Sequence, residues 1–212
     1  MGHLDYQSSY RRNLPHLQPR GAIIFVTFRL TGSLPVSLLE RWRQERVRLQ
    51  HLQKTDPTHY ARVASHFEKS WFAKFEAVLD GGSCGPLWLR DELVASQVAD
   101  SLHRRDRKVY RLDAFSIMPN HVHVLFKPLR IDGGDQDYHS LASIMQSLKG
   151  FTARACNRLL KREGEFWAHE SYDHFVRSND EWHRIVADIL NNPVKAGFVR
   201  EWRQWRWNYF RE

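Results

Sequence analysis

Residues 109–128 constrain the fold more than any other stretch. Val109-Tyr110-Arg111-Leu112-Asp113-Ala114-Phe115-Ser116-Ile117-Met118 alternates well enough for a strand, and Pro119-Asn120 reads as a turn. His121-Val122-His123-Val124-Leu125-Phe126 then opens a second strand. Two strands joined this closely pair as a hairpin. Side chains alternate faces along a strand, so His121 and His123 share one face and Val122 takes the other. Two neutral imidazoles side by side on a rigid strand supply half of a divalent-metal site.

The flanking segments set the architecture. Residues 21–30 are β-rich and make a first strand, broken at Thr31-Gly32-Ser33. Residues 36–53 predict a helix, Asp56-Pro57-Thr58 starts another, and residues 80–86 are a Gly-rich loop. Residues 36–86 therefore predict an inserted helical hairpin. Asp91 is placed to cap a helix running to about Arg105. A long helix is expected from about Ser140 to Lys161, where Ile144, Leu148, Phe151, Ala155 and Leu159 form an apolar stripe. Lys149, Arg154 and Arg158 lie elsewhere on it, on a face that is either solvated or tracks phosphates. Residues 164–178 read as strand-like. Asp180 is placed to cap a helix of about 181–191, which Asn191-Asn192-Pro193 is expected to end. Without the insertion the order is β, α, β, β, α, β and a further helix. That predicts an α+β fold: a ferredoxin-like split βαβ core with a central antiparallel sheet, an inserted helical hairpin and an extra C-terminal helix.

A net charge of +8, mixed with aromatic residues, points to a polyanionic partner, most simply nucleic acid. No run of 18 apolar residues occurs, so no membrane span is expected. Residues 1–20 read as a polar, basic arm with no signal-peptide core. Cys84 and Cys156 are isolated and form no disulfide or zinc pattern, which fits a reducing cytoplasm.

Several segments in order carry a family resemblance. Tyr10-Arg11-Arg12-Asn13-Leu14-Pro15-His16 precedes the first strand, and Met118-Pro119-Asn120-His121-Val122-His123 follows. Ser147-Leu148-Lys149, Phe166-Trp167, Tyr172-Asp173-His174-Phe175-Val176-Arg177 and Asn191-Asn192-Pro193-Val194-Lys195-Ala196-Gly197 come after it. Together they resemble the REP-associated tyrosine transposases, single-tyrosine members of the HUH transposases, across nearly the whole chain except 36–86. The resemblance implies one HUH transposase-like domain over 1–212 that binds hairpin-forming single-stranded DNA such as REP palindromes. It implies Mg²⁺ or Mn²⁺ on His121, His123 and a third polar ligand, for which Asn192 stands in place, and no nucleotide cofactor. It also implies metal-dependent cleavage and strand transfer through a phosphotyrosine link, in a bacterial cytoplasm at the nucleoid. Either a monomer or a dimer is compatible, with a lean to the monomer.

One departure stands out. The resemblance places the nucleophilic tyrosine four residues before Asn192, where this chain has Asp188, and no tyrosine lies in 179–199. The chain has lost tyrosine chemistry and kept DNA binding, or uses Tyr172 as a substitute nucleophile, or brings Asp188 to the metal. Spacing puts Asp188 and Asn192 on one helix face. DNA contacts are expected from Arg11, Arg12 and Arg20 in the arm, from Lys149, Arg154 and Arg158, from Lys195, and from Arg203 and Arg206 in the Arg/Trp-rich tail of 200–212. The tail's rings serve equally well to cover the sheet. His16, His169 and His174 are secondary candidates.

Overall fold

A computed structural model of the chain describes residues 21–82, 84–131 and 138–212. The arm of 1–20, with Arg11, Arg12, His16 and Arg20, lies outside the described residues. Five strands form one antiparallel sheet in the order β4-β1-β3-β2-β5. They are β1 (Ile24–Leu30), β2 (Tyr110–Ile117), β3 (His121–Pro128), β4 (Trp167–Phe175) and β5 (Asn208–Phe210). The first four follow the split βαβ order, with β1 and β3 at the centre, as the element order predicts.

The sheet separates two packing layers. Ile24, Val26, Phe28 and Leu30 alternate with Phe25, Thr27 and Arg29 along β1. The first set joins Val122, Val124 and Phe126 in a large core under α3 (Glu92–Arg105) and α4 (Leu141–Leu159). Asp91 caps α3 by accepting from the amides of Leu93 and Val94. Burying large apolar side chains stabilises by about 1.5–3 kcal/mol each, so this layer dominates the driving force for folding. The opposite layer is smaller: Phe25, Ala114 and Leu125 meet Val186, Ile189 and Leu190 of α5 (Asn179–Lys195).

Two boundaries differ from the sequence expectation at α5. Its cap is Ser178, whose hydroxyl accepts from the Glu181 amide, rather than Asp180. The helix also runs through Asn191-Asn192-Pro193 and stops at Lys195. Proline in a last turn removes one hydrogen bond without ending the helix. The stop comes from Gly197 at φ +75°, where the amides of Gly197 and Phe198 close back on the carbonyls of Val194 and Pro193.

The insertion forms α1 (Val36–Thr55) and α2 (Pro57–Asp80), joined at Asp56, which caps α2 by accepting from the His59 amide. Leu34, Leu38, Trp71 and Leu79 give the pair its own small core. Its two ends meet. A Cβ on Gly85 would fall 2.2 Å from the Gly32 carbonyl oxygen, and φ there is +73°, so only glycine fits. The tail adds β5 to the free edge of β2. Trp205 Nε1 donates to the Ile117 carbonyl at 3.0 Å, and Trp202 and Trp207 pack partly buried. The tail's rings thus go to packing. No helix among the described residues is long and apolar enough to cross a membrane.

Candidate metal centre

His121 and His123 stand side by side on β3, both fully buried, with their Nε2 atoms 2.9 Å apart. Their outer nitrogens are held. Asn120 Nδ2 donates to the Leu79 carbonyl at 3.0 Å, which turns Asn120 Oδ1 toward His121 Nδ1 at 2.7 Å. That oxygen only accepts, so His121 carries its hydrogen on Nδ1 and presents a lone pair at Nε2. Thr27 Oγ1 lies 2.7 Å from His123 Nδ1 and, as a hydroxyl, either donates or accepts. The metal-free pair is satisfied when Thr27 donates and His123 Nε2–H points at His121. Reversing the Thr27 hydroxyl turns both Nε2 lone pairs inward. Two cis ligands with metal–nitrogen bonds of about 2.1 Å sit about 3.0 Å apart, close to the observed separation.

Carboxylates come from the insertion. Asp80 Oδ1 lies 3.6 Å from His121 Nε2, and Glu76 Oε1 lies 3.8 Å from His123 Nε2. The two acids are one helical turn apart at the end of α2, so both face β3. Asp80, His121 and His123 form a metal-compatible cluster. Asn192, on α5, is 4% exposed and hydrogen-bonded to the Asp80 side chain. Asp80 Oδ1 and Asn192 Oδ1 are both buried without a hydrogen-bond partner. Orphaned acceptors beside two imidazole lone pairs are the donor set that a hard or borderline divalent cation takes. The residues present therefore fit a metal.

The electrostatics agree. Burial pushes Glu76 up to about 7, aided by Asp80, and pushes Asp80 up to about 6 against the Asn192 hydrogen bond and the Lys195 charge. Burial holds His121 well below its ordinary value, with His123 adding to the effect. It lowers His123 to about 3, helped by Lys195. Without a cation the imidazoles stay neutral, while Asp80 ionises above about 6 and Glu76 above about 7.

The other site candidates divide. Tyr172 shares a cross-strand row with Thr27 and His123. Its ring stacks on Phe72 at 3.8 Å, and burial raises its phenol above the ordinary tyrosine range. Asp188 does not share Asn192's environment. Its side chain is 71% exposed and pairs with Lys195 Nζ at 2.8 Å, at the rim of the cluster, where its charge still acts on Glu76. Lys149 Nζ donates to the carbonyls of Ala168 and His169, which fastens β4 to α4. His174 bonds Glu181 at 3.0 Å, and His169 is exposed. Arg154, Arg158, Arg203 and Arg206 are exposed, the last two over Trp202 and Trp207. Glu76 and Asp80 were missed by sequence reasoning. Their four-residue spacing was the available signal, but it also fits a solvated helix face.

No family model matches the chain. It is 26% identical over 126 residues to a REP-associated tyrosine transposase of Escherichia coli, covering 57% of this chain and 69% of that protein. It is 25% identical over 103 residues to a putative REP-associated tyrosine transposase of Haemophilus influenzae, covering 46% of this chain and 57% of that protein. A solved REP-associated tyrosine transposase bound to a REP hairpin aligns with 95% of this chain and 82% of its own, with a TM-score of 0.50 and 16% identity. The two curated relatives support the family read from the sequence, and the solved structure shows the same fold.

Proposed function

We propose that this chain, a relative of the REP-associated tyrosine transposases, binds hairpin-forming single-stranded DNA and holds one of its phosphates at a divalent cation, without tyrosine-mediated strand transfer. The observation that carries the reading is the 2.9 Å separation of two oriented imidazole nitrogens beside orphaned acceptors. His121, His123 and Asp80 would hold Mg²⁺ or Mn²⁺, with Asn192 or Glu76 beside them. A bound cation polarises a phosphate oxygen and offsets its charge.

The protein's own groups do the rest. Asn120 and Thr27 orient the imidazoles. Lys195, whose charge reaches Glu76, Asp80 and His123, borders the site from α5 and suits a phosphate contact. Arg154, Arg158, Arg203 and Arg206 offer exposed cations for the backbone, and Arg11, Arg12 and Arg20 do so from the arm. Asp188, at the position the resemblance gives to the nucleophile, is exposed, pairs with Lys195 and cannot form a phosphotyrosine, which favours the reading without strand transfer.

A second reading keeps catalysis, because Tyr172 lies on the same row as His123. One experiment decides between them. Labelled hairpin DNA is titrated with protein in Mn²⁺ or chelator, and the same mixtures are run on denaturing gels. The expected result is Mn²⁺-dependent binding, lost in His121→Ala, with no covalent adduct. An adduct that disappears in Tyr172→Phe establishes cleavage instead, and binding indifferent to chelation overturns the metal.

A further inference from the structure

The histidine pair is closed to any large ligand. His121 is 0% exposed and His123 1%, so neither ring meets solvent, and a phosphodiester is larger than water. The elements over the pair are α2, which brings Asp80 and Glu76, and α5, which brings Asn192. They are anchored differently. Val186, Ile189 and Leu190 fix α5 in the apolar layer of Phe25, Ala114 and Leu125. The α1–α2 pair instead keeps Leu34, Leu38, Trp71 and Leu79 in a core of its own. Between that pair and the β1–β4 side of the sheet lies a cavity of about 490 Å³, walled by Arg29, Glu68 and Glu170 as well as by rings. An interface with such a gap and such polar walls is easier to part than a close-packed core.

The contacts that hold α2 to the sheet are discrete. Phe72 stacks on Tyr172 at 3.8 Å and meets Phe25 edge-on at 5.8 Å. The Leu79 carbonyl accepts from Asn120 at 3.0 Å. Asp80 Oδ1 and Glu76 Oε1 stand 3.6 and 3.8 Å from the histidine nitrogens. The chain leaves and re-enters the sheet region at one place, Gly32 and Gly85, both at φ +73°. Two joints side by side form a hinge about which two helices sharing one core turn as a single body.

We propose that α1–α2 is a hinged cover over the histidine pair, and that Asp80 stands where an oxygen of the DNA phosphate is to stand. Closed, the cover sets the Asp80 carboxylate beside His121 and His123. Carboxylate and phosphodiester both offer an anionic oxygen to a hard cation, so one can replace the other. Turning about Gly32 and Gly85 withdraws Asp80 and Glu76, uncovers both imidazoles and leaves Asn192 in place on α5. The same motion lifts Phe72 off Tyr172. The inference rests on the DNA-binding reading above and adds its regulation: the free protein inhibits itself, and DNA competes with the chain's own carboxylate.

Two readouts on the full chain test this. The first needs no DNA. Metal-free protein is acylated with diethyl pyrocarbonate, and His121 and His123 are followed by mass spectrometry, with the exposed His169 as reference. Wild type is expected to react slowly at the pair. Phe72→Ala, which removes the stack on Tyr172, is expected to raise that rate about fivefold and leave His169 unchanged. Phe72→Leu replaces it if the alanine variant does not fold. The second readout compares Mn²⁺ affinity of the free protein with Mn²⁺-dependent binding of hairpin DNA. Asp80→Ala is expected to move them in opposite directions: weaker Mn²⁺ binding, and about tenfold tighter hairpin binding. A plain ligand would lose both together, and that result overturns the cover while the DNA-binding reading stands. Equal acylation of the pair in wild type and a folded Phe72 variant overturns it too. Hairpin bound by neither wild type nor Asp80→Ala removes the DNA-binding reading, and the phosphate role of Asp80 with it, whatever the acylation rates.

Discussion

On one face of the sheet, Ile24, Val26, Phe28, Val122, Val124 and Phe126 lie under α3 and α4, and a polar atom that reaches this layer, Tyr110 OH, donates to the Leu102 carbonyl. On the other face the same two central strands present Thr27, Arg29, His121 and His123, covered by α2 and α5, with the acceptors of Asp80 and Asn192 left unpaired. Strand alternation lets one pair of strands serve both layers. The difference teaches that fold stability and ligand chemistry are carried by opposite sides of the same residues' backbone, so each can be perturbed separately.

The largest effect should come from the apolar side. Leu148→Ala removes a fully buried side chain under α3 and the sheet, and is expected to cost about 2–5 kcal/mol in urea unfolding. Mn²⁺ affinity of the folded protein should not move; if it falls too, the faces are coupled and the contrast breaks. Next comes Asn120→Ala, which frees the His121 ring and the Leu79 carbonyl together. Mn²⁺ affinity by calorimetry should fall about 10- to 100-fold, a second-layer effect. An unchanged affinity would mean that the imidazoles need no orientation. The smallest effect is a pH dependence. Asp80 must ionise to bind a cation and titrates near 6, so lowering pH from 7 to 5 should weaken Mn²⁺ binding by about tenfold. Protonation of the acid opposes the metal, so affinity rises with pH and levels off above that value. His123, held near 3, does not compete in this window. Binding that does not change between pH 5 and 7 would remove Asp80 from the site.

Much of this arrangement was legible in the chain. Alternation marked β1, β2 and β3 and put His121 and His123 on one face, because period-two patterning survives wherever one strand face is buried. Asp91 and the Pro57 start of α2 showed through their capping chemistry. What stayed hidden depended on tertiary contact. Asp80 and Glu76 come within reach of the histidines where Asn120 ties the last turn of α2 to β3, and nothing local in residues 76–80 encodes that docking. The three residues of β5 are too few for a pattern, and their strand exists because β2 had an open edge. Pro193 was read as a stop, yet Gly197 supplies it, since a proline in a final turn costs a single hydrogen bond. The separate fates of Asp188 and Asn192 were also out of reach. Helical spacing makes them neighbours, but only the position of α2 decides which of them is covered.

The contact of Gly32 with Gly85 has a further consequence. The closure entropy of a loop grows only with the logarithm of its length, so an excursion whose ends already touch adds little to the sheet's folding cost, however long it is. The segment between those glycines is therefore an exchangeable cassette. Because it carries Glu76 and Asp80, and with Trp42, Trp71 and Phe72 one wall of the neighbouring cavity, replacing it would refit the carboxylate side of the histidine cluster and that wall in one event, while the histidine strand stayed unchanged.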